Sequence, residues 1–533
     1  MSKFKTLGYV CGLILLGIIY YLFLPPVNPT AIEFWMFLGS AVVIFLVINI
    51  SSVEYEITRR RVSIIKAPKY FKIIAFFIPA VIILLIVTNI IVSPLFNAKS
   101  WANRINVVPA NFTEEIKEVD FNKIPLLDKD SSQKLGDRTM GQNAEYVSQY
   151  YVSNLYTQIN YNDEIVRVTP LEYDGLIKWI TNRKNGINAY ITVDSVNGKS
   201  TLVKINKGMK YMPSAYFNED LERHLRFKYL FDVFGKSRFE IDNEGKPYWI
   251  TPVLAYTGVS NKTRIVAAII TDPITGESKK YKLEEVPTWV DNVLYADLVI
   301  EQVNNWGQYQ GGFFNSIFGQ KNVVNTTEGY NYLALNDDVY LYTGITSVVS
   351  DESNLGFILT NLRTGDTKYY EVPGAEEYSA MESAKGQVQQ MNYTSTFPLL
   401  INLNNRPTYL VSLKDNAGLV KMYAFIDVQD YQKVVVTDAS LGINKAAANY
   451  LAQYGENGKS SIVETKNITI KTISSAVKEG NTYYYITDTN NKRYKAHINV
   501  SDILPFITNG TKVTVSYFEE KDITDISNIE VLE

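Results

Sequence analysis

The sequence predicts three N-terminal transmembrane helices, an α+β extracytoplasmic body of two related strand–helix–strand halves, and a C-terminal OB-like β-barrel. Three observations carry this reading. The first 98 residues hold three long uncharged apolar runs; a strand-and-turn pattern from residues 165–310 returns in 311–450; five alternating segments follow residue 465. The implied division is an anchor over 1–98, a linker and lead-in over 99–164, the two halves, and the barrel over 465–533. A chain of 533 residues is too long for one ordinary domain. Its 46% hydrophobic and 20% charged content excludes a disordered chain. One cysteine, Cys11, excludes an internal disulfide framework, and two histidines, His224 and His497, argue against the common multi-histidine metal sites.

The apolar runs are Thr6–Leu24, Phe34–Val53 and Ile73–Ala98. Each approaches or exceeds the ~20 residues that a helix needs to cross hydrocarbon. A cleavable signal peptide is the other reading of the first run. Leu24-Pro25-Pro26 offers no small-residue cleavage site, however, and a second run follows at once. The prolines instead make a turn between antiparallel helices. Lys3, Lys5 and the loop carrying Arg59, Arg60, Arg61, Lys66, Lys69 and Lys72 belong in the cytoplasm by the positive-inside bias. Three spans then place residues 101–533 outside. Charge agrees: residues 1–100 hold nine Lys/Arg and three Glu, and the remainder 43 basic and 52 acidic residues. With no Asp, Glu, Lys, Arg or His inside the runs, the bundle reads as an anchor rather than a transporter.

Within the body, residues 171–181 place Leu171, Ile177 and Ile180 on a helical stripe. The strand Tyr190-Ile191-Thr192, closed by Asn197-Gly198, lines up with Phe357-Ile358-Leu359, closed by Thr364-Gly365. Each copy continues with an alternating strand and a polar-aromatic helical stretch. Next come Gly245-Lys246-Pro247-Tyr248-Trp249-Ile250 and Asn405-Arg406-Pro407-Thr408-Tyr409-Leu410, then the strands Ile265–Thr271 and Lys421–Val428. Recurrence at this spacing reads as a tandem duplication.

The run from Gly245 to Ile250, followed by a strand ending in Asp272, Thr275, Gly276 and Glu277, resembles the PepSY family. The second half matches the opening and Asp427, but lacks the Thr-Gly pair. The resemblance covers about forty residues of each half. It implies cystatin-like α+β modules outside bacterial membranes, often linked to peptidases or their propeptides, and it brings no catalytic residues. Asp272–Gly276 also has a purely local reading. An acceptor side chain opens the turn, proline fixes φ, and glycine closes it. A carboxylate site at Asp272 and Glu277 is the functional alternative.

The segments Ile468–Ile473, Thr482–Thr487, Tyr494–Asn499, Thr511–Tyr517 and Ile523–Val531 alternate as strands, with a short helix at Ser501–Ile507 after the third. That is an OB-like order. Residues 455–533 hold nine basic against eleven acidic side chains, which argues against the basic groove of a nucleic-acid site.

No P-loop, dinucleotide fingerprint, HExxH or GxSxG occurs. The adjacent pairs Glu284-Glu285, Asp337-Asp338 and Glu376-Glu377 read as solvated surface, because neighbours on one strand or helix point apart. Leu221–Tyr229 reads as an amphipathic helix, with Arg223, Arg226 and Lys228 as its basic face. The glycine-flanked loop with Phe313, Phe314 and Phe318 either meets a partner or plugs the core between the halves. The candidate contact residues are therefore Phe313, Phe314, Phe318, Arg223 and Arg226; no catalytic, cofactor or metal residues emerge. The expectation is a non-enzymatic, multi-pass cell-membrane protein. Its partners would be the lipid bilayer and an envelope protein or peptide, with modulation of a surface peptidase as what the resemblance implies. The rival is a carboxylate-dependent envelope hydrolase. Protease added to intact protoplasts should remove the body and spare the loop at Arg59–Arg61; a protected body would contradict this topology.

Overall fold

A computed structural model describes residues 3–50, 54–58, 61–66, 68–335, 337–348, 350–454, 464–478, 481–518 and 523–532. Helices α1 (Lys3–Phe23), α2 (Ile32–Asn49) and α3 (Lys69–Val92) are long and apolar enough to cross a membrane. Gly8 and Gly12 on α1 let α2 approach closely: a Cβ at Gly12 would meet Ile44 and Ile48 at 2.9 Å. Strands β1 (Glu54–Thr58) and β2 (Arg61–Lys66) form a hairpin between α2 and α3; Arg59 and Arg60 lie outside the described residues.

The lead-in contains α4 (Pro94–Ala102), β3 (Val107–Ala110), α5 (Phe112–Glu115), α6 (Lys129–Gly141) and α7 (Ala144–Val147). The first sheet follows. Strands β4 (Tyr150–Val152) and β5 (Thr157–Tyr161) share one edge of β6 (Glu164–Tyr173). After α8 (Gly175–Asn182) come β7 (Ile187–Asp194) and β8 (Ser200–Met209), all antiparallel. Helix α9 (Leu221–Lys228) leads to a second sheet of the same plan. There β9 (Val233–Phe234) and β10 (Arg238–Ile241) share the edge of β11 (Pro247–Ala255), followed by β12 (Arg264–Thr271) and β13 (Ser278–Lys282).

Helix α10 (Ala296–Tyr309) precedes the third sheet. In it β14 (Val324–Thr326) and β15 (Asn331–Leu335) share one edge of β16 (Asp338–Ser347), followed by β17 (Ser350–Asn361) and β18 (Thr367–Tyr370). The short β19 (Gly374–Ala375) also pairs with β17, and β3 joins β18 in parallel. After α11 (Glu377–Gly386), the fourth sheet repeats the plan. Strands β20 (Thr394–Ser395) and β21 (Leu399–Leu403) lie against β22 (Arg406–Lys414), then β23 (Val420–Asp427) and β24 (Val434–Asp438). Helix α12 (Ile443–Tyr454) leads into a closed barrel of β25 (Glu464–Lys478), β26 (Asn481–Asp488), β27 (Arg493–His497), β28 (Lys512–Phe518) and β29 (Thr524–Val531). Its order is β25-β26-β27-β29-β28.

The plan of a single sheet thus recurs four times, and the first sheet begins with β4 and β5, ahead of the expected boundary at residue 165. The pairs aligned in the sequence fall on equivalent strands: Tyr190 and Phe357 on β7 and β17, Pro247 and Pro407 on β11 and β22. One device recurs in all four sheets. The third strand ends in Asp194, Asp272, Asn361 or Asp427, whose Oδ1 accepts the backbone N–H groups two and three residues on. Such an Asx turn fixes the reversal to the fourth strand. Gly198, Gly276 and Gly365 then supply positive φ; the fourth sheet dispenses with the glycine.

Neighbouring sheets share cores because strands are buried on both faces. On β11, Trp249 points into a core shared with the first sheet, and Ile250 into one shared with the third. On β17, Ile358 joins that second core, while Phe357 packs with Tyr409 and Phe425 of the fourth sheet. The 99–164 segment is structural rather than a simple linker. It contributes β3 to the third sheet and β4 and β5 to the first, and Asp128 at the head of α6 pairs with Lys414 of the fourth.

Two local expectations change. The strand β6 runs through Tyr173, so Leu171 is buried in a sheet. The chain turns at Gly175 (φ 85°), leaving Ile177 and Ile180 exposed on α8. The segment Ser501–Ile507 forms only a 3₁₀ turn at Leu504–Phe506. Asp272→Ala should lower stability by about 1–2 kcal/mol, since two turn hydrogen bonds and the Lys246 pair vanish. Asp272→Asn should keep most of it, because asparagine serves the same turn at Asn361; equal losses in thermal melts would show that the turn is not what matters.

Candidate functional site

The short first strands of the sheets bring polar groups together in the interior. Glu240 on β10 and Asp291, in the loop before α10, are 0% and 1% exposed. Both Glu240 carboxylate oxygens accept backbone N–H groups, from Asp291 and Asn292 at 2.9 Å each. Asn292 Nδ2 donates to the Gln158 carbonyl at 2.8 Å, and the Asn160 N–H donates to Asp291 Oδ2 at 2.7 Å. Val293 and Leu294 donate to the Leu362 carbonyl beyond β17. Residues 291–294 therefore tie together parts of three sheets. Burial pushes both carboxyl groups upward, and the Glu240 charge raises Asp291 further.

Beside this cluster lies a cavity of about 440 Å³. Its walls include Asn160 of β5, Leu333 and Leu335 of β15, and Leu400 and Asn402 of β21; the strap of residues 115–120 and 123–125 borders it. This strap is docked by backbone. Val119 N–H donates to the Asn402 carbonyl at 2.9 Å, Asn402 Nδ2 donates to the Ile116 carbonyl at 2.6 Å, and Glu118 bridges Asn402 in parallel. Lys117, Lys123, Asp163 and Asp337 give the cavity a mixed charge.

The adjacent carboxylates divide between surface and interior. Asp337 is exposed, whereas Asp338 is buried and paired with Arg363 through Nε at 2.7 Å and a terminal nitrogen at 2.8 Å. Glu377 is fully buried, accepts from Tyr342 Oη at 3.2 Å, and burial raises its carboxyl to about 7. Glu284 and Glu285 lie in a 3₁₀ turn with neither buried.

The expected contact residues separate. Phe314 and Phe318 are 66% and 79% exposed on the turn after α10, with ring centroids 6.5 Å apart, and Phe313 is half-buried beside Phe314. Exposure places Phe314 and Phe318 outside the core between sheets. Arg226, expected on an outer basic face, is instead 2% exposed and donates to the Leu24 carbonyl at the end of α1 at 3.0 Å. Arg223 lies over the Tyr21 ring at 4.4 Å and donates to the Tyr21 carbonyl at 3.3 Å. Both arginines thus join α9 to the end of α1. The Glu240–Asp291 cluster escaped sequence reading because its members are far apart and Glu240 stands between Phe239 and Ile241 without a motif.

The sequence matches no protein family and no curated protein. Among solved structures it is similar to a Trypanosoma rangeli sialidase in complex with 2,3-difluoro-KDN, at 7% identity and TM-score 0.17. That alignment covers 71% of this chain and 53% of the sialidase. A mutant Synechocystis apocarotenoid oxygenase aligns at 7% identity and TM-score 0.14, over 72% of this chain and 65% of that one. Likenesses this remote carry no argument about fold or function.

The raised carboxyl groups give a signed pH dependence. Folded Glu377 keeps its proton to about pH 7, while the unfolded chain releases it near 4.5. Its contribution is present below about pH 4.5 and is lost as pH rises to 7. Glu377→Gln should therefore gain on wild type across this window by on the order of 1–3 kcal/mol. Urea unfolding at several pH values measures this; parallel profiles would contradict the assignment.

Proposed function

We propose that this chain is a non-catalytic, membrane-anchored envelope protein whose body, outside the membrane, holds an extended peptide or protein segment at the strap-bordered cavity. One observation carries the reading: the strap already binds β21 by backbone pairing at Glu118–Val119. Sheet edges capture extended chains in the same way, and alternate side chains then select among partners. Leu333, Leu335 and Leu400 offer apolar contact there, and the mixed-charge lining offers selectivity.

The burial of Glu240 and Asp291, with both Glu240 oxygens taken by backbone, favours bracing over hydrolysis. For the barrel, the strand order and the parallel closure of β27 on β29 support an OB-like reading. The PepSY-like reading rests on the Pro247 opening and the Asp272–Glu277 turn, now located on β11 and after β12. Exposed Phe314 and Phe318 are a second contact candidate.

The test is photo-crosslinking in intact cells from Lys123 at the cavity and Phe318 on the loop. Capture of an envelope protein or peptide from Lys123, identified by mass spectrometry, is expected. Capture from Phe318 alone would move the contact to the loop and overturn the cavity reading; capture from neither would overturn partner binding.

A further inference from the structure

A second cavity, of about 630 Å³, lies where α3 meets the body. Its position follows from two clamps on the last turns of α3. The hairpin between β11 and β12 is held there because Asn89 Oδ1 accepts from the Val259 N–H at 2.8 Å and Asn89 Nδ2 donates to the Val259 carbonyl at 3.1 Å. On the other side α4 folds back so that Trp101 Nε1 donates to the Val92 carbonyl at 2.7 Å. Between these clamps the cavity is lined by Lys99, Arg104, Lys262 and Arg264, with Ser100 and Thr263 beside them.

The charge there is unbalanced. Of the four cations, only Arg104 has a carboxylate partner among the described residues, Glu301, and that residue is not in the lining. The Arg104 side chain is 3% exposed, yet its Nε has no acceptor. Lys262 Nζ reaches only as far as Ser100 Oγ. Burial, then the like charges of Arg104 and Arg264, push Lys262 downward. A buried donor without an acceptor is costly, and so are like charges gathered in one place. An anion with several oxygens offsets the gathered like charge, and guanidinium groups suit phosphate oxygens well. The exposed apolar side chains of Leu95 and Phe96 stand at the same end of α3. Phosphate and acyl chain would thus meet their complements together.

We propose that this cavity binds the anionic phosphate head group of a membrane lipid in the leaflet facing the body. The proposal rests on the three helices spanning a bilayer and is independent of the partner-binding reading. Its chemistry is shared with free phosphate esters, and the apolar flank favours the lipid.

The full chain in detergent, examined by native mass spectrometry, tests this with phosphatidylglycerol, phosphatidylcholine and soluble glycerol phosphate. Wild type should retain phosphatidylglycerol at least tenfold more than phosphatidylcholine, and should retain no glycerol phosphate. Lys262→Gln/Arg264→Gln should lose that preference, whereas Lys279→Gln/Lys321→Gln, with the same charge change elsewhere, should keep it. Equal retention by both double variants would overturn the site. Equal binding of glycerol phosphate would make it a soluble-anion site and overturn the lipid. Circular dichroism of each variant separates lost binding from lost folding; if the double variant unfolds, Arg264→Gln alone must still reduce the preference, and an unchanged ratio would refute the proposal.

Discussion

The placement of the body depends on one buried guanidinium. Helix α1 ends with carbonyl groups that no further turn can satisfy, and its dipole concentrates negative charge there. Arg226 supplies the donor. Its Nε bonds the Leu24 carbonyl, a terminal nitrogen bonds the Tyr229 and Asp232 carbonyls, and its plane lies 4.2 Å from the Phe234 ring centroid. Burial pushes the guanidinium downward, but from a reference so high that it stays charged. One side chain thus holds the end of a transmembrane-length helix and the turn into the second sheet. Around it, Val27 N–H donates to the Leu230 carbonyl at 2.8 Å and Ser260 N–H to the Thr30 carbonyl at 2.7 Å. The helices and body thus meet through backbone as well as side-chain bonds, an arrangement that resists the rotation a flexible linker would allow.

From that junction rigidity passes through the sheets. The second sheet touches the anchor through both α9 and the β11–β12 hairpin, and it shares one core with the first sheet and another with the third. Residues 291–294 lock the same three sheets by hydrogen bonds to Glu240, Asn160 and Leu362. A cavity bordered by a strap from the lead-in is therefore carried on a braced frame. On the proposed partner-binding reading, packing presets the cavity's geometry and so limits the entropy lost on capturing a flexible segment.

How much was legible in the sequence depended on whether a signal was local. The apolar runs announce themselves because a bilayer demands uninterrupted apolarity over a fixed length, and Thr6–Leu24, Phe34–Val53 and Ile73–Ala98 each overlap a helix long and apolar enough to cross one. The barrel strands were legible through alternation. The fourfold repeat was hidden because its first strands are broken into pieces such as Tyr150–Val152 and Val233–Phe234, too short to show a period. Its turn residue also varies between aspartate and asparagine, and the last copy lacks glycine. Arg226 misled for a different reason. Helical periodicity assigns charge to the solvent side, whereas here that side of α9 faces the carbonyl end of another helix. Glu240 and Asp291 meet only through tertiary structure, so no spacing could reveal them.

The central claim is that anchor and body form one rigid unit. Amide hydrogen exchange on the full chain in lipid nanodiscs tests it most directly at Val27 and Ser260, whose N–H groups cross the junction. If the account holds, both amides exchange as slowly as those in the middle of β11 and β17. Exchange at the rate of an unstructured turn would contradict it, because the junction would then be a hinge.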